Sequence, residues 1–233
     1  MGGEVIVMKW MDAVLDLLFP PKCPFCHRLL AKEEVGFCAK CQAELPWALG
    51  KQGEQKPEFT AGCVSPLYYR EGVRQAVHRF KFYGRAEYAK VFAPLMAQSV
   101  RDNWPEESFD LVTAVPLHWR RRRARGYDQA QLLAEEVGRL LGVPAQVTLK
   151  KIRHTPAQSG QSDHEARRVN VLGAYDVNGK EFAGERVLLV DDVVTSGATL
   201  SECARTLRTG GVKEVRAVTL ARAGEEKKFG GNL

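Results

Sequence analysis

Short apolar runs alternate along this chain with stretches in which apolar residues recur every three or four positions, the pattern of strands and helices in turn. Val187–Val190 (VLLV) reads as a short strand buried on both faces, as in a parallel sheet. Asp191 and Asp192 stand at its carboxyl end. A helix follows from Ala198 to about Leu207, with Leu200, Ala204 and Leu207 at helical spacing, and Gly210-Gly211 stops it. Upstream, Gly62–Tyr69 predicts a strand, Val73–Phe80 a helix, and Glu87–Val100 a second helix with Val91, Leu95 and Met96 inward. Asp110–Val115 predicts a strand and Gln129–Leu141 a helix capped by Gly142. Val147–Arg153 and Glu214–Ala221 are further strands. His154–Asn170 is long and polar and reads as a loop, helical over Glu165–Val169. Near the start, Trp10–Phe19 forms a short amphipathic helix, ended by Pro20-Pro21.

These elements divide the chain. Residues 1–19 are a tail and the amphipathic helix, and 20–47 a cysteine-bearing module. Residues 48–57 (ALGKQGEQKP) are polar and read as a linker. Residues 58–224 are an α/β domain and 225–233 a tail. A chain of 233 residues has room for one such domain plus a small module. No run of 18 apolar residues exists, so no membrane span is expected. Lys9, Asp12 and Asp16 interrupt the apolar residues near the N-terminus, which argues against a secretory signal and for a cytoplasmic location. The net charge of +6 permits an anionic partner without demanding one.

Four cysteines carry the first chemistry. Cys23, Cys26, Cys38 and Cys41 form two C-x2-C pairs, and each pair places two thiolates on one tight turn. Two such turns close a tetrahedron around a structural zinc. A module this small cannot bury much core, so the metal would supply most of its stability. Cys63 and Cys203 read as small core residues, and His27 as a bystander.

The second chemistry follows the strand at Val187–Val190. Thr195, Ser196, Gly197, Ala198 and Thr199 offer hydroxyls and close backbone approach where a helix begins. A helix N-terminus has unpaired amides and favours a phosphate. Asp191 and Asp192 repel that phosphate but suit the hydroxyls of a sugar. The combination points to a phosphorylated sugar. Arg120, Arg121, Arg122, Arg123 and Arg125 crowd the stretch after the Asp110–Val115 strand, where α/β sheets place ligands. Phe80-Lys81-Phe82-Tyr83-Gly84-Arg85 sets aromatics between cations, as a packed helix end, as a lip of the active site, or as a stacking platform for single-stranded nucleic acid. Lys81, Phe82, Arg121, Arg122 and Arg123 are the nucleic-acid candidates.

Val187–Thr199 (VLLVDDVVTSGAT) resembles the signature of type I phosphoribosyltransferases, which bind 5-phosphoribosyl-1-pyrophosphate (PRPP). The resemblance implies a parallel sheet flanked by helices, preceded here by a small four-cysteine zinc ribbon. It implies that Asp191 and Asp192 hold the ribose hydroxyls and Thr195–Thr199 the 5′-phosphate, with magnesium accompanying PRPP. Arg120, Arg125 and Gly126 would then form the pyrophosphate loop. Arg153, Gln158 and Arg168 would sit on a mobile loop that closes over the ligand. With the CxxC pairs in front, the order of motifs resembles the ComF family of late-competence proteins. That family implies handling of incoming single-stranded DNA in the cytoplasm during natural transformation, beside other competence proteins such as a helicase. The alternative is an active phosphoribosyltransferase that passes phosphoribose to an acceptor and releases pyrophosphate. No catalytic group is assigned at this level, and both readings stand.

Overall fold

A computed structural model of the chain describes residues 20–153, 164–179 and 182–224. The expected helix over Trp10–Phe19, Gln158 and the tail from 225 lie outside them. The chain splits into two units, Met1–Leu45 and Pro46–Leu233.

In the first unit, Lys22 bridges Leu29 in an antiparallel turn, and the Cys23 amide donates to the Arg28 carbonyl at 2.8 Å. A short helix, α1 (Ala39–Glu44), begins with Cys38 as its N-cap. Phe25 and Phe37 meet edge to face, with ring centroids 5.5 Å apart.

The second unit is built on a parallel sheet. Its centre is β6 (Arg186–Val194) paired with β7 (Glu214–Arg222), and β3 (Leu111–Ala114) lies on the outer side of β6. β1 (Gly62–Val64) and β2 (Leu67–Tyr68) follow one another along the far side of β7. The expected strand over Gly62–Tyr69 is thus broken at Ser65-Pro66, since proline cannot donate to a ladder. Val187, Leu188, Leu189 and Val190 are completely buried, as a strand covered on both faces requires. Each such side chain contributes about 1.5–3 kcal/mol by burial.

Successive side chains along a strand point to opposite faces. On one face Val187 and Leu189 join Val215, Ala217 and the helix α7 (Ala198–Thr209), through Leu200, Cys203 and Leu207. The hairpin of β4 (Leu149–Lys151) and β5 (Tyr175–Val177) closes the same cluster. Helices α3 (Ala89–Asn103) and α5 (Gln129–Leu141) pack on each other and on the main sheet, and bury Phe92, Met96, Leu133 and Val137. α2 (Glu71–Phe82) joins α3 by an edge contact of Phe80 with Phe92, centroids 5.6 Å apart. No helix among the described residues is long and apolar enough to cross a membrane.

Four further expectations need correction. β6 does not end at Val190. Its ladder with β7 continues through Asp191↔Thr219 to Val194↔Arg222, so both aspartates lie inside the strand. The arginine-rich stretch is not a loop but α4 (Trp119–Arg125). Arginine is a good helix former, and His118 caps the first turn by accepting from the Arg120 amide at 3.3 Å. The strand over Val147–Arg153 shortens to β4 and pairs antiparallel with β5, apart from the main sheet. Residues 48–57 are no free linker. The Ala48 amide donates to the Pro66 carbonyl at 2.8 Å and Gln55 bridges Cys63, so this stretch covers the outer edge of β1. Over Glu165–Val169 the chain is helical within α6 (His164–Val171).

Candidate functional site

The turn from β6 into α7 opens on a cavity of about 240 Å³. Asp191 and the whole of Thr195–Thr199 line it, together with Arg121, Lys151 and Asn170. The turn depends on Gly197, which caps α7 in the left-handed region at φ +77°. A β-carbon there would lie 3.2 Å from the Pro57 ring, so both conformation and space call for glycine. Gly197 has no side chain to cap α7, and the Ala198 amide reaches the Ser196 hydroxyl at only 3.5 Å, so the first turn of the helix keeps donors for an anion.

The two aspartates part company. Asp191 faces the cavity, and its carboxylate accepts from the Asp192 amide at 2.8 Å. Burial, reinforced by the Asp192 charge, pushes the Asp191 carboxyl up to about 8. Asp192 points to the other face. There Lys81, from the last turn of α2, reaches its two oxygens at 2.9 and 2.7 Å. The Lys81 ammonium would lose its proton more easily for being buried, but Asp192 holds it above its ordinary value. Asp192 is therefore not among the residues lining the cavity, and Lys81, expected on a nucleic-acid face, is an internal partner of the acidic pair.

The arginines divide as well. Of the run, Arg121 is the one on the cavity wall. Arg120, Arg125 and Gly126, expected as the pyrophosphate loop, do not line it. Arg120 lies over the exposed Trp119 ring, 5.3 Å from its centroid. Arg125 is half-buried, donates to Gln129 at 2.7 Å and covers the Phe82 ring at 4.7 Å. Gly126 ends α4 in the left-handed region at φ +84°. Asp128 then starts α5, accepting from the Ala130 and Leu117 amides at 3.1 and 2.8 Å, while Tyr127 donates to the Phe80 carbonyl. The Arg-Gly-Tyr-Asp stretch is thus largely a joint between helices. Arg122 and Arg123 are exposed, as are Phe82 and Tyr83. Arg153 ties down the end of α6 by donating to the Asn170 and Leu172 carbonyls at 3.1 and 2.7 Å. Arg168 pairs with Glu58 at 3.1 Å.

Lys151 was not legible as a site residue. It belongs to no motif, and only the β4–β5 hairpin brings it to the cavity. Lys81 was legible as a cation but not as the partner of Asp192, because 111 residues separate them.

In the first unit, the Sγ atoms of Cys23, Cys26, Cys38 and Cys41 all lie within 4.8 Å of one another, and none is in a disulfide. Cys26 and Cys38 Sγ are 3.6 Å apart. Tetrahedral zinc with sulfur ligands at about 2.3 Å spaces its ligands by about 3.8 Å, so the set fits that ion. Four ligands leave no open position, which makes the site structural. Burial would raise the Cys38 thiol, but the Cys41 amide and the Arg28 guanidinium pull it down to about 6, towards the thiolate that zinc needs. Glu34 links the two turns, accepting from Arg28 and from the Ala39 amide.

Comparison with known proteins finds matches in both parts of the chain. A family model for the phosphoribosyl transferase domain matches residues 127–230, and one for the double zinc ribbon domain matches residues 14–52. Competence protein F of Haemophilus influenzae is 33% identical over 224 residues, covering 87% of this chain and 97% of that protein. DNA utilization protein YhgH of Salmonella typhimurium is 31% identical, covering 86% of this chain and 89% of that protein. Competence protein ComFC of Bacillus subtilis is 30% identical over 66% of this chain and 62% of its own length. Among solved structures, glutamine PRPP amidotransferase of B. subtilis aligns with 58% of this chain and 26% of that one, at 24% identity and a TM-score of 0.39.

Two measurements probe the acidic pair. Lys81→Met leaves the Asp192 charge buried without its cation. We expect a loss of about 2–4 kcal/mol in urea unfolding, below the cost of a fully enclosed pair, and recovery of more than half of it in Lys81→Met/Asp192→Asn. The folded chain binds the Asp191 proton more tightly than the unfolded chain does. Its contribution to stability is therefore present in the acid range and is lost as pH rises towards 8. Asp191→Asn should raise the melting temperature by about 2–4 °C at pH 8 and by less at pH 5, as read by thermal scans.

Proposed function

The chain belongs to the competence protein F family, with a phosphoribosyltransferase-like domain behind a zinc ribbon, and on that footing we propose that it handles single-stranded DNA in natural transformation and binds PRPP in its α/β domain. The observation that carries the PRPP reading is the cavity at the end of β6. An acid, a turn of hydroxyls and amides, and two cations surround one space there. Asp191 suits the ribose hydroxyls, and the Thr195–Thr199 turn suits the 5′-phosphate. Magnesium carried on the ligand's phosphates supplies charge neutralisation, and Asp191 is the carboxylate at hand to meet it. A cytoplasmic location and contacts with other competence proteins, such as a helicase, go with this role.

The DNA reading is supported by a surface of rings and cations. Phe82, Tyr83 and Trp119 are 58%, 65% and 59% exposed. Arg120, Arg122 and Arg123 are exposed beside Trp119, and Arg125 covers Phe82. Rings stack bases and guanidinium groups meet phosphates, without sequence preference.

A second reading, phosphoribosyl transfer, is favoured by Asp191. A carboxyl pushed up to about 8 is a stronger base than an ordinary carboxylate, and its ionised form can take the proton of an acceptor as the bond from C1 to pyrophosphate breaks and the bond from C1 to the acceptor forms.

Titration calorimetry with PRPP and magnesium is expected to show binding that Asp191→Asn/Asp192→Asn abolishes, and absence of heat in the unaltered chain would end the PRPP reading. Release of pyrophosphate with a nucleobase, amine or water would move the conclusion to transfer. Single-stranded DNA should bind more weakly as salt rises, with a log–log slope of about −0.7 per phosphate contacted. Alanine at Arg120, Arg122 and Arg123 should weaken it and flatten that slope. Absent or salt-insensitive binding would exclude the DNA role.

A further inference from the structure

The four sulfurs of the first unit come from two separate turns, and something must set one turn against the other. The first turn runs from Cys23 to Arg28, whose carbonyl accepts from the Cys23 amide at 2.8 Å. His27 bends it through the left-handed region at φ +66°. The second turn is the start of α1, where the Cys38 sulfur accepts from the Cys41 amide at 3.3 Å. Arg28 crosses from the first turn to the second. Its guanidinium hydrogen-bonds the Cys38 sulfur, donates through Nη2 to Glu34, and donates through Nη1 to the Leu29 carbonyl at 3.1 Å. Glu34 completes the crossing. Its Oε1 also accepts from the Ala39 amide at 2.8 Å, and its Oε2 accepts from the Ala31 amide at 2.9 Å. The Glu34 side chain is 14% exposed and that of Arg28 44%, so Glu34 is the anchor and Arg28 the arm.

Four thiolates around a divalent ion leave an excess of negative charge, and a positive donor on a ligating sulfur is favoured there. A carboxylate so close would be costly on its own. Glu34 is tolerated because an arginine and two backbone amides occupy its oxygens. The guanidinium is a rigid planar fork, so fixing two of its nitrogens also fixes the donor that meets Cys38. The same two side chains tie the end of the first turn to the first residue of α1. Part of the ordering that four ligands need is thereby met by the chain itself.

We propose that Arg28 and Glu34 are positioning residues for the metal, a clamp that holds the two CxxC turns in register and fixes the Cys38 sulfur for the ion. Neither is a ligand, and both act through Cys38 and the start of α1. The proposal rests on the reading of the four cysteines as a structural zinc site and adds the residues that set its affinity.

The test uses the full chain loaded with zinc and a chromophoric zinc chelator as competitor. Arg28→Met and Glu34→Ala should each weaken zinc binding by about tenfold or more, the size expected when an outer partner of a ligand is lost. The double variant should be no weaker than the worse single variant by more than about twofold, because the two side chains act as one unit. Arg28→Lys keeps the charge without the fork and should recover only a minor part. Lys32→Met removes an exposed cation of the same unit and should leave zinc affinity unchanged. Cobalt in place of zinc adds a readout that misfolding would not mimic. In Arg28→Met the sulfur-to-cobalt charge-transfer band should move to lower energy, since one sulfur loses a positive donor, while the ligand-field bands keep their tetrahedral intensity. Unchanged zinc affinity in Arg28→Met or in Glu34→Ala overturns the clamp and leaves the zinc site standing. Full recovery in Arg28→Lys, or an equal loss in Lys32→Met, also overturns it, since charge alone would then explain the effect. If the unaltered chain holds no zinc, the reading of the four cysteines falls first, and the clamp with it.

Discussion

Alternation along a strand is the constraint from which this site follows. A strand must send neighbouring side chains to opposite faces. Because β6 stays in its ladder past Val190, Asp191 goes with Val187 and Leu189 to the α7 side, and Asp192 goes to the other. Two adjacent acids thereby acquire separate roles. One lies on the cavity wall with its carboxyl pushed upward, and the other sits in an ion pair with Lys81 on α2. Without the pairing of β6 and β7 beyond Val190, both acids would be free to face the same ligand.

The same constraint explains the electrostatics. Asp191 meets the charge of Asp192 through the backbone they share, and Lys81 offsets only part of it. The site thus combines a neutralised acid behind the sheet with a poised acid in front. Arg121 and Lys151 reach the front side from α4 and from the hairpin. Four separate parts of the chain therefore contribute charge to one small region.

Much of this architecture was legible beforehand, and the reasons are local. The VLLV run, Gly142 after an amphipathic helix and the paired cysteines are signals carried within a few residues, and each element formed where it was expected. The Thr195–Thr199 turn was legible for the same reason. What escaped notice depended on contacts far apart in sequence. The end of β6 is set by its partner β7. Asp192 is claimed by a lysine on α2. Arg120 and Arg125 matched a motif by position, but the helical winding of Trp119–Arg125 turned Arg121, not these two, onto the cavity. The stretch at 48–57 looked unstructured by composition, yet Gly53 packs so closely that an added β-carbon would sit 2.5 Å from the Ala48 and Ser65 carbonyl oxygens.

Pro57 shows what that last point entails. Its ring backs Gly197 on the turn from β6 into α7, and its carbonyl accepts from the Thr60 hydroxyl at 2.7 Å. A boundary drawn by composition alone would cut the chain at residue 58 and discard the wall behind the turn. Anyone isolating the α/β part must therefore begin no later than Pro46. A shorter fragment would still contain the whole recognisable signature and yet present it on a loosened loop.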